Sequence, residues 1–94
     1  MADYLPLGTV VKLYDEDKLL MIYGRAQIIP EEGCVYDYVA FEYPTGSVNT
    51  QEGYMFNHDA IQSVFYIGFQ DADELNYRQA LKKYVDEHVG DFQF

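Results

Sequence analysis

A single cysteine, Cys34, leaves no partner for an internal disulfide, so nothing in the chain calls for an oxidising compartment. Cys34 also follows Glu31 and Glu32, and acidic neighbours disfavour a thiolate, so it reads as inert rather than as a nucleophile. Histidine is equally scarce. The two present, His58 and His88, belong to no recognisable metal or nucleophile motif, and neither a catalytic residue, a metal nor a cofactor is expected. Cations number only six against sixteen acids, too few and too dispersed to neutralise a phosphate backbone; nucleic acid is excluded as a partner, and an anionic membrane surface with it. No apolar run approaches the roughly 18 residues of a spanning helix. The opening Met1-Ala2-Asp3-Tyr4 has neither the basic nor the apolar segment of a signal peptide, which predicts a cytoplasmic protein.

What the chain does have is aromatic residues and negative charge. Ten Tyr and six Phe in 94 residues supply enough apolar surface for one folded core, so residues 1–94 are read as a single domain. The net charge of −10 is spread along the chain and suits either solubility or a basic partner.

The stretch from Tyr36 to Tyr43 organises the rest. It is rich in aromatic and β-branched residues and is stopped by Pro44-Thr45-Gly46, the pattern of a central strand followed by a turn. The two-residue period places Asp37, Val39, Phe41 and Tyr43 on one face and Tyr36, Tyr38, Ala40 and Glu42 on the other. Neither face is polar, so both need covering. Before it, Thr9 to Tyr14 alternates as a first strand, and Leu19 to Arg25 forms the second strand of a hairpin, extendable to Ile29, with Gly24 marking a bulge or a close backbone approach. After it come a short strand at Tyr54–Phe56, one helical turn at Asn57–Ala60 with Asn57 as its cap, and a fifth strand at Ile61–Phe69. Asp71 and Glu74 have capping-box spacing and open a helix that Gly90 stops, with Tyr77, Leu81, Tyr84, Val85 and His88 on one stripe.

These elements predict a mainly β, α+β domain. Its five antiparallel strands (about residues 7–69) form a strongly curved sheet or SH3-like barrel, capped by a C-terminal helix at about residues 72–89. A flatter sheet with the helix on one face is the alternative. One helix can cover only one face. If curvature leaves the other open, the face carrying Tyr36 and Tyr38 is expected to be an exposed, tyrosine-bearing patch that meets another protein.

Among individual residues, His58 and Asp59 point apart if extended and suit a turn better than a metal pair, and His88 suits a half-buried position on the helix stripe. Arg25 is the one cation between Lys18 and Arg78; it is expected either to pair with a neighbour such as Asp37 or to anchor an interface. The acids in turns, at residues 15–17 and 31–32, are expected to be solvated.

Six short motifs then fall in a telling order: Leu5-Pro-x-Gly-x-Val-Val11, Leu20-Met-Ile-x-Gly-Arg25, Tyr36-Asp-Tyr38, Tyr43-Pro-x-Gly46, Phe56-Asn-His-x-x-Ile61 and Val64-x-x-x-Gly68. In this the chain, over about residues 4 to 75, resembles a small uncharacterised bacterial domain family of unknown function, often encoded in Gram-positive bacteria beside type VII secretion components and LXG-type toxins. The resemblance implies a noncatalytic, protein-binding accessory module: a cytosolic chaperone or targeting factor that holds such a toxin before export. The alternative is an immunity protein that covers a basic toxin domain. No catalytic residue comes with the family. The motif positions that could contact a partner are Arg25, Tyr36, Asp37, Tyr38, Asn57 and His58. The sequence leaves the oligomeric state open.

Overall fold

The computed structural model describes residues 4–29, 31–48 and 53–87. Five strands and one helix follow in order: β1 (Val10–Leu13), β2 (Leu19–Ile29), β3 (Cys34–Tyr43), β4 (Tyr54–Phe56), a 3-10 turn (His58–Ala60), β5 (Ile61–Tyr66) and α1 (Ala72–Glu87). All neighbours are antiparallel, in the order β4-β3-β2-β1-β5. The fold is therefore the expected mainly β sheet with a C-terminal helix. It is not closed into a barrel, because β4 and β5 are its two edges. The middle strand is β2 rather than β3, since the chain crosses from one edge to the other between β4 and β5.

Alternation decides which residues enter the core. Val11 pairs with Leu20, and Ile22 with Ala40, so one face of the sheet carries Val11, Leu20, Ile22, Ala40 and Tyr38, all buried, with Phe56 and Tyr4 packed on them. Tyr38 is the hub. Its ring meets Tyr4 edge-on at 6.1 Å, Phe56 at 5.6 Å and the His58 imidazole at 5.9 Å. The expected division of β3 into two faces holds, but their roles are reversed. The Tyr38 face is the main core, with Tyr38 itself 0% exposed, and the more open face is the one bearing Phe41 and Tyr43, on which Val10 and Val39 are nonetheless buried.

Gly24 does both things its position suggested. The register of β2 against β3 slips between Ile22 and Gly24, and a Cβ on Gly24 would lie 2.7 Å from Val39 Cγ1. The slip changes parity, so that Arg25 lies opposite Tyr38 on the core side instead of pointing outward. β5 ends at Tyr66, short of Phe69. Gly68 leaves the sheet to donate its N–H to the buried Thr9 Oγ1 at 3.1 Å, and its bare Cα sits so close to the Leu7 carbonyl that any side chain would collide.

The helix begins as predicted, with Asp71 Oδ1 accepting the Glu74 N–H at 2.9 Å. It does not bury its stripe: among the described residues of α1 none is buried, Tyr77 and Tyr84 are more than half exposed, and Leu81 alone of the stripe packs against the core cluster. Two arginines hold it instead. Arg25 donates to both oxygens of Glu74, at 2.6 and 2.9 Å, and Arg78 donates to the Tyr4 carbonyl at 2.9 Å. The expected Arg25–Asp37 pair is thus replaced by Arg25–Glu74, because the bulge turns Arg25 toward the helix. His88 and Gly90 lie outside the described residues.

Candidate functional site: an open apolar sheet face

Four of the six residues singled out from sequence come together, and they form a structural latch. Asn57 Oδ1 accepts the Asp37 N–H at 3.1 Å, while Asp37 Oδ2 accepts the His58 N–H at 2.8 Å. Asn57 therefore does not cap the 3-10 turn through its side chain; it ties the turn to β3. Tyr38 Oη accepts the Leu5 N–H at 3.0 Å and lies 2.9 Å from His58 Nδ1. The hydroxyl thus joins the Leu5 backbone and the His58 ring at a single point. The latch joins β3, the 3-10 turn and the N-terminal segment, with its polar groups directed at one another.

Burial shapes the acidity of the two tyrosines here. Desolvation, reinforced by the Asp37 charge, pushes Tyr4 up to about 12. Burial raises Tyr38 as well, partly offset by the Leu5 N–H that favours its anion. Both remain neutral phenols at neutral pH, as a packing role requires.

Of the other two, Arg25 has a side chain only 4% exposed, bonded to Glu74 and lying 5.5 Å from the Tyr77 ring centroid. Tyr36 is half-buried and pairs across from Gln27. Tyr38 and Arg25 are therefore corrected as surface contacts: they lie inside, beneath the N-terminal segment and helix. Among the described residues no three His, Cys, Asp or Glu side chains converge on one point.

The surface that is available lies on the opposite face of the sheet. Val10 pairs with Met21, and Leu19 with Tyr43, bringing these four side chains into one apolar area. Phe65 and Tyr66 complete it from the edge strand, enclosing a groove of about 380 Å³ lined by Val10, Leu19, Met21, Tyr43, Phe65 and Tyr66. The two aromatics reach the same side because β5 slips against β1 here: Val10 pairs with Tyr66 and Val11 with Val64, which leaves Phe65 as an extra residue. A bulge of this kind re-aims a side chain that strict alternation would send to the core. Phe65 and Tyr66 are 61% and 63% exposed. Beside the groove, Tyr23 stacks on Phe41 with ring centroids 5.2 Å apart, extending the apolar face.

Tyr43 and Tyr66 lie on strands that the sequence pattern predicts, the central strand and the fifth. Leu19, Met21 and Phe65 were missed as site residues. The signal for the first two was present, since an apolar run such as Leu19 to Tyr23 supplies both faces; the bulge that brings in Phe65 has no sequence mark.

Acids border one end of this face, in the turn that precedes Leu19. Asp15 and Asp17 are exposed there, whereas Lys18 is committed to Glu42 at 3.1 Å. Glu42 also accepts from the Tyr54 hydroxyl, and that bond, followed by the Lys18 bond, holds its carboxyl below the usual range.

No helix among the described residues is long and apolar enough to cross a membrane. No curated protein and no solved structure matches the chain. Residues 4–77 match the family described as Domain of unknown function (DUF4176), a span that holds the whole sheet, the latch and the first turns of α1, and the chain belongs to that family.

Proposed function

We propose that the protein is a noncatalytic, protein-binding accessory module whose working surface is the open sheet face. One observation carries the reading: a sheet covered by a helix and the N-terminal segment on one side leaves a continuous apolar groove, rimmed by half-exposed aromatics, on the other. Apolar patches of this kind are characteristic of surfaces that meet another protein. The resemblance to a family encoded beside type VII secretion components supplies the context. In that context the module is a cytosolic chaperone or targeting factor for an LXG-type toxin. The net charge of −10 favours a second reading, an immunity protein that covers a basic toxin domain.

Capture of toxin fragments separates the two. Binding to the N-terminal helical region supports targeting; binding to the C-terminal toxic domain supports immunity. In either case Phe65→Ser and Tyr66→Ser are expected to weaken capture by about tenfold or more, with melting temperature little changed. Capture of neither fragment, or capture indifferent to both substitutions, would sink the proposal.

A further inference from the structure

We infer that the groove seats one amphipathic helix of another protein, with an apolar stripe facing the sheet and Lys or Arg on the flank that reaches Asp15 and Asp17. This rests on the reading of the protein as a binding module and gives the partner its chemistry. Three observations carry it.

First, the sheet has an incomplete set of layers. Its inner face is covered by Tyr4, Leu81 and their neighbours, while the outer face presents Met21, Tyr43, Phe65 and Tyr66 to solvent or at the rim of the groove. A sheet apolar on both faces is completed by a second layer, and a helix supplies one without needing hydrogen bonds from the sheet.

Second, the edges do not favour an added strand. β4 is three residues long, and β5 carries two register slips against β1, which bend it away from a straight partner. Recognition through side chains on the face is therefore preferred over recognition through backbone at the edge.

Third, charge selects the occupant. Asp15 and Asp17 stand exposed before Leu19, at the end of the groove that Leu19 and Tyr43 form. Of the cations bordering that end, Lys18 is paired with Glu42, while Lys12, bonded to the neutral Gln62 Oε1 at 2.8 Å and Leu13 carbonyl at 3.2 Å, keeps its charge but is outnumbered by Asp15, Glu16 and Asp17. A second copy of the chain would bring another −10 against the first, whereas a cationic flank is attracted.

The test is an NMR titration of the full chain with two synthetic amphipathic helical peptides that share one leucine stripe, one flanked by Lys and one by Glu. The Lys peptide is expected to shift the Met21, Tyr43, Phe65 and Tyr66 amides and to bind about tenfold tighter than the Glu peptide. Phe65→Ser should weaken it about tenfold, and the double change Asp15→Asn, Asp17→Asn several-fold, each variant first checked to melt like the parent. Shifts that map to α1 instead, equal affinity for both peptides, no binding of either, or pairing of two copies through this face at neutral pH and about 0.15 M salt would each overturn the inference. If any of these appears while Phe65→Ser still abolishes capture of a toxin fragment, the binding-module reading stands and only the helical, cationic occupant falls.

Discussion

Tyr38 concentrates more of the fold than any other side chain, because its ring is the centre of an aromatic cluster and its hydroxyl closes the latch to His58 and Leu5. Two substitutions separate these roles. Tyr38→Ala removes a ring that is 0% exposed and is expected to cost roughly 3–5 kcal/mol of stability, seen as a large fall in the denaturant midpoint. Tyr38→Phe keeps the ring but strands the Leu5 N–H and His58 Nδ1, and is expected to cost about 1–3 kcal/mol. Equal costs for the two variants would mean that packing contributes little and that the latch has been undervalued. Glu42 gives a pH dependence at the same scale. Its folded carboxyl lies below the ordinary value near 4.5, so the stabilisation is fully present above that value and is lost as pH falls through the lower, folded one. Urea midpoints followed from about pH 7 to about pH 3 should therefore fall more steeply for the parent than for Glu42→Gln. Parallel curves would remove Glu42 from the account.

At the scale of elements, local periodicity reveals what the backbone does and conceals what bulges do to it. The strands, the short β4, the Asp71 cap and the slip at Gly24 are all legible, because each depends on neighbours within a few residues. The order of strands is less so, and the choice of open face is reversed, because both faces of β3 are apolar and only packing against Tyr4, Phe56 and α1 distinguishes them. The Arg25–Glu74 pair is invisible for a related reason: one slipped residue turns Arg25 inward toward a helix half the chain away. That pair makes a strong prediction about α1. Its side chains are 4% and 13% exposed, and no residue of the helix is buried, so the ion pair and Arg78 do much of what an apolar stripe usually does. Arg25→Ala leaves Glu74 facing a desolvated site without its partner, and should cost about 3–5 kcal/mol and speed amide exchange throughout α1. Replacing both, Arg25→Met with Glu74→Leu, should restore most of the stability, since an apolar pair of similar volume avoids the desolvation penalty. Exchange in α1 that is indifferent to Arg25→Ala would show that the helix is held by Leu81 and Arg78 alone.

For the whole molecule, an open apolar face and a net charge of −10 act against each other. The groove and the exposed aromatics favour association, while the acids, spread over both ends of the sheet and along the helix, oppose the approach of a second copy. This balance depends on conditions in a calculable direction. Near neutral pH and about 0.15 M salt the repulsion acts over a screening length of about 8 Å, and the chain is expected to sediment as a monomer. At about 1 M salt that length falls to about 3 Å, and as pH drops toward the sequence pI of about 4.2 the net charge itself vanishes. Self-association should therefore rise under either change. If it runs through the outer face, Phe65→Ser and Tyr66→Ser together will suppress it in sedimentation velocity, whereas Leu75→Ser, an exposed apolar position on α1, will not. Association at high salt that is equally strong in the groove variant and the helix variant would place the sticky surface elsewhere, and would leave the outer face without evidence of adhesion of its own.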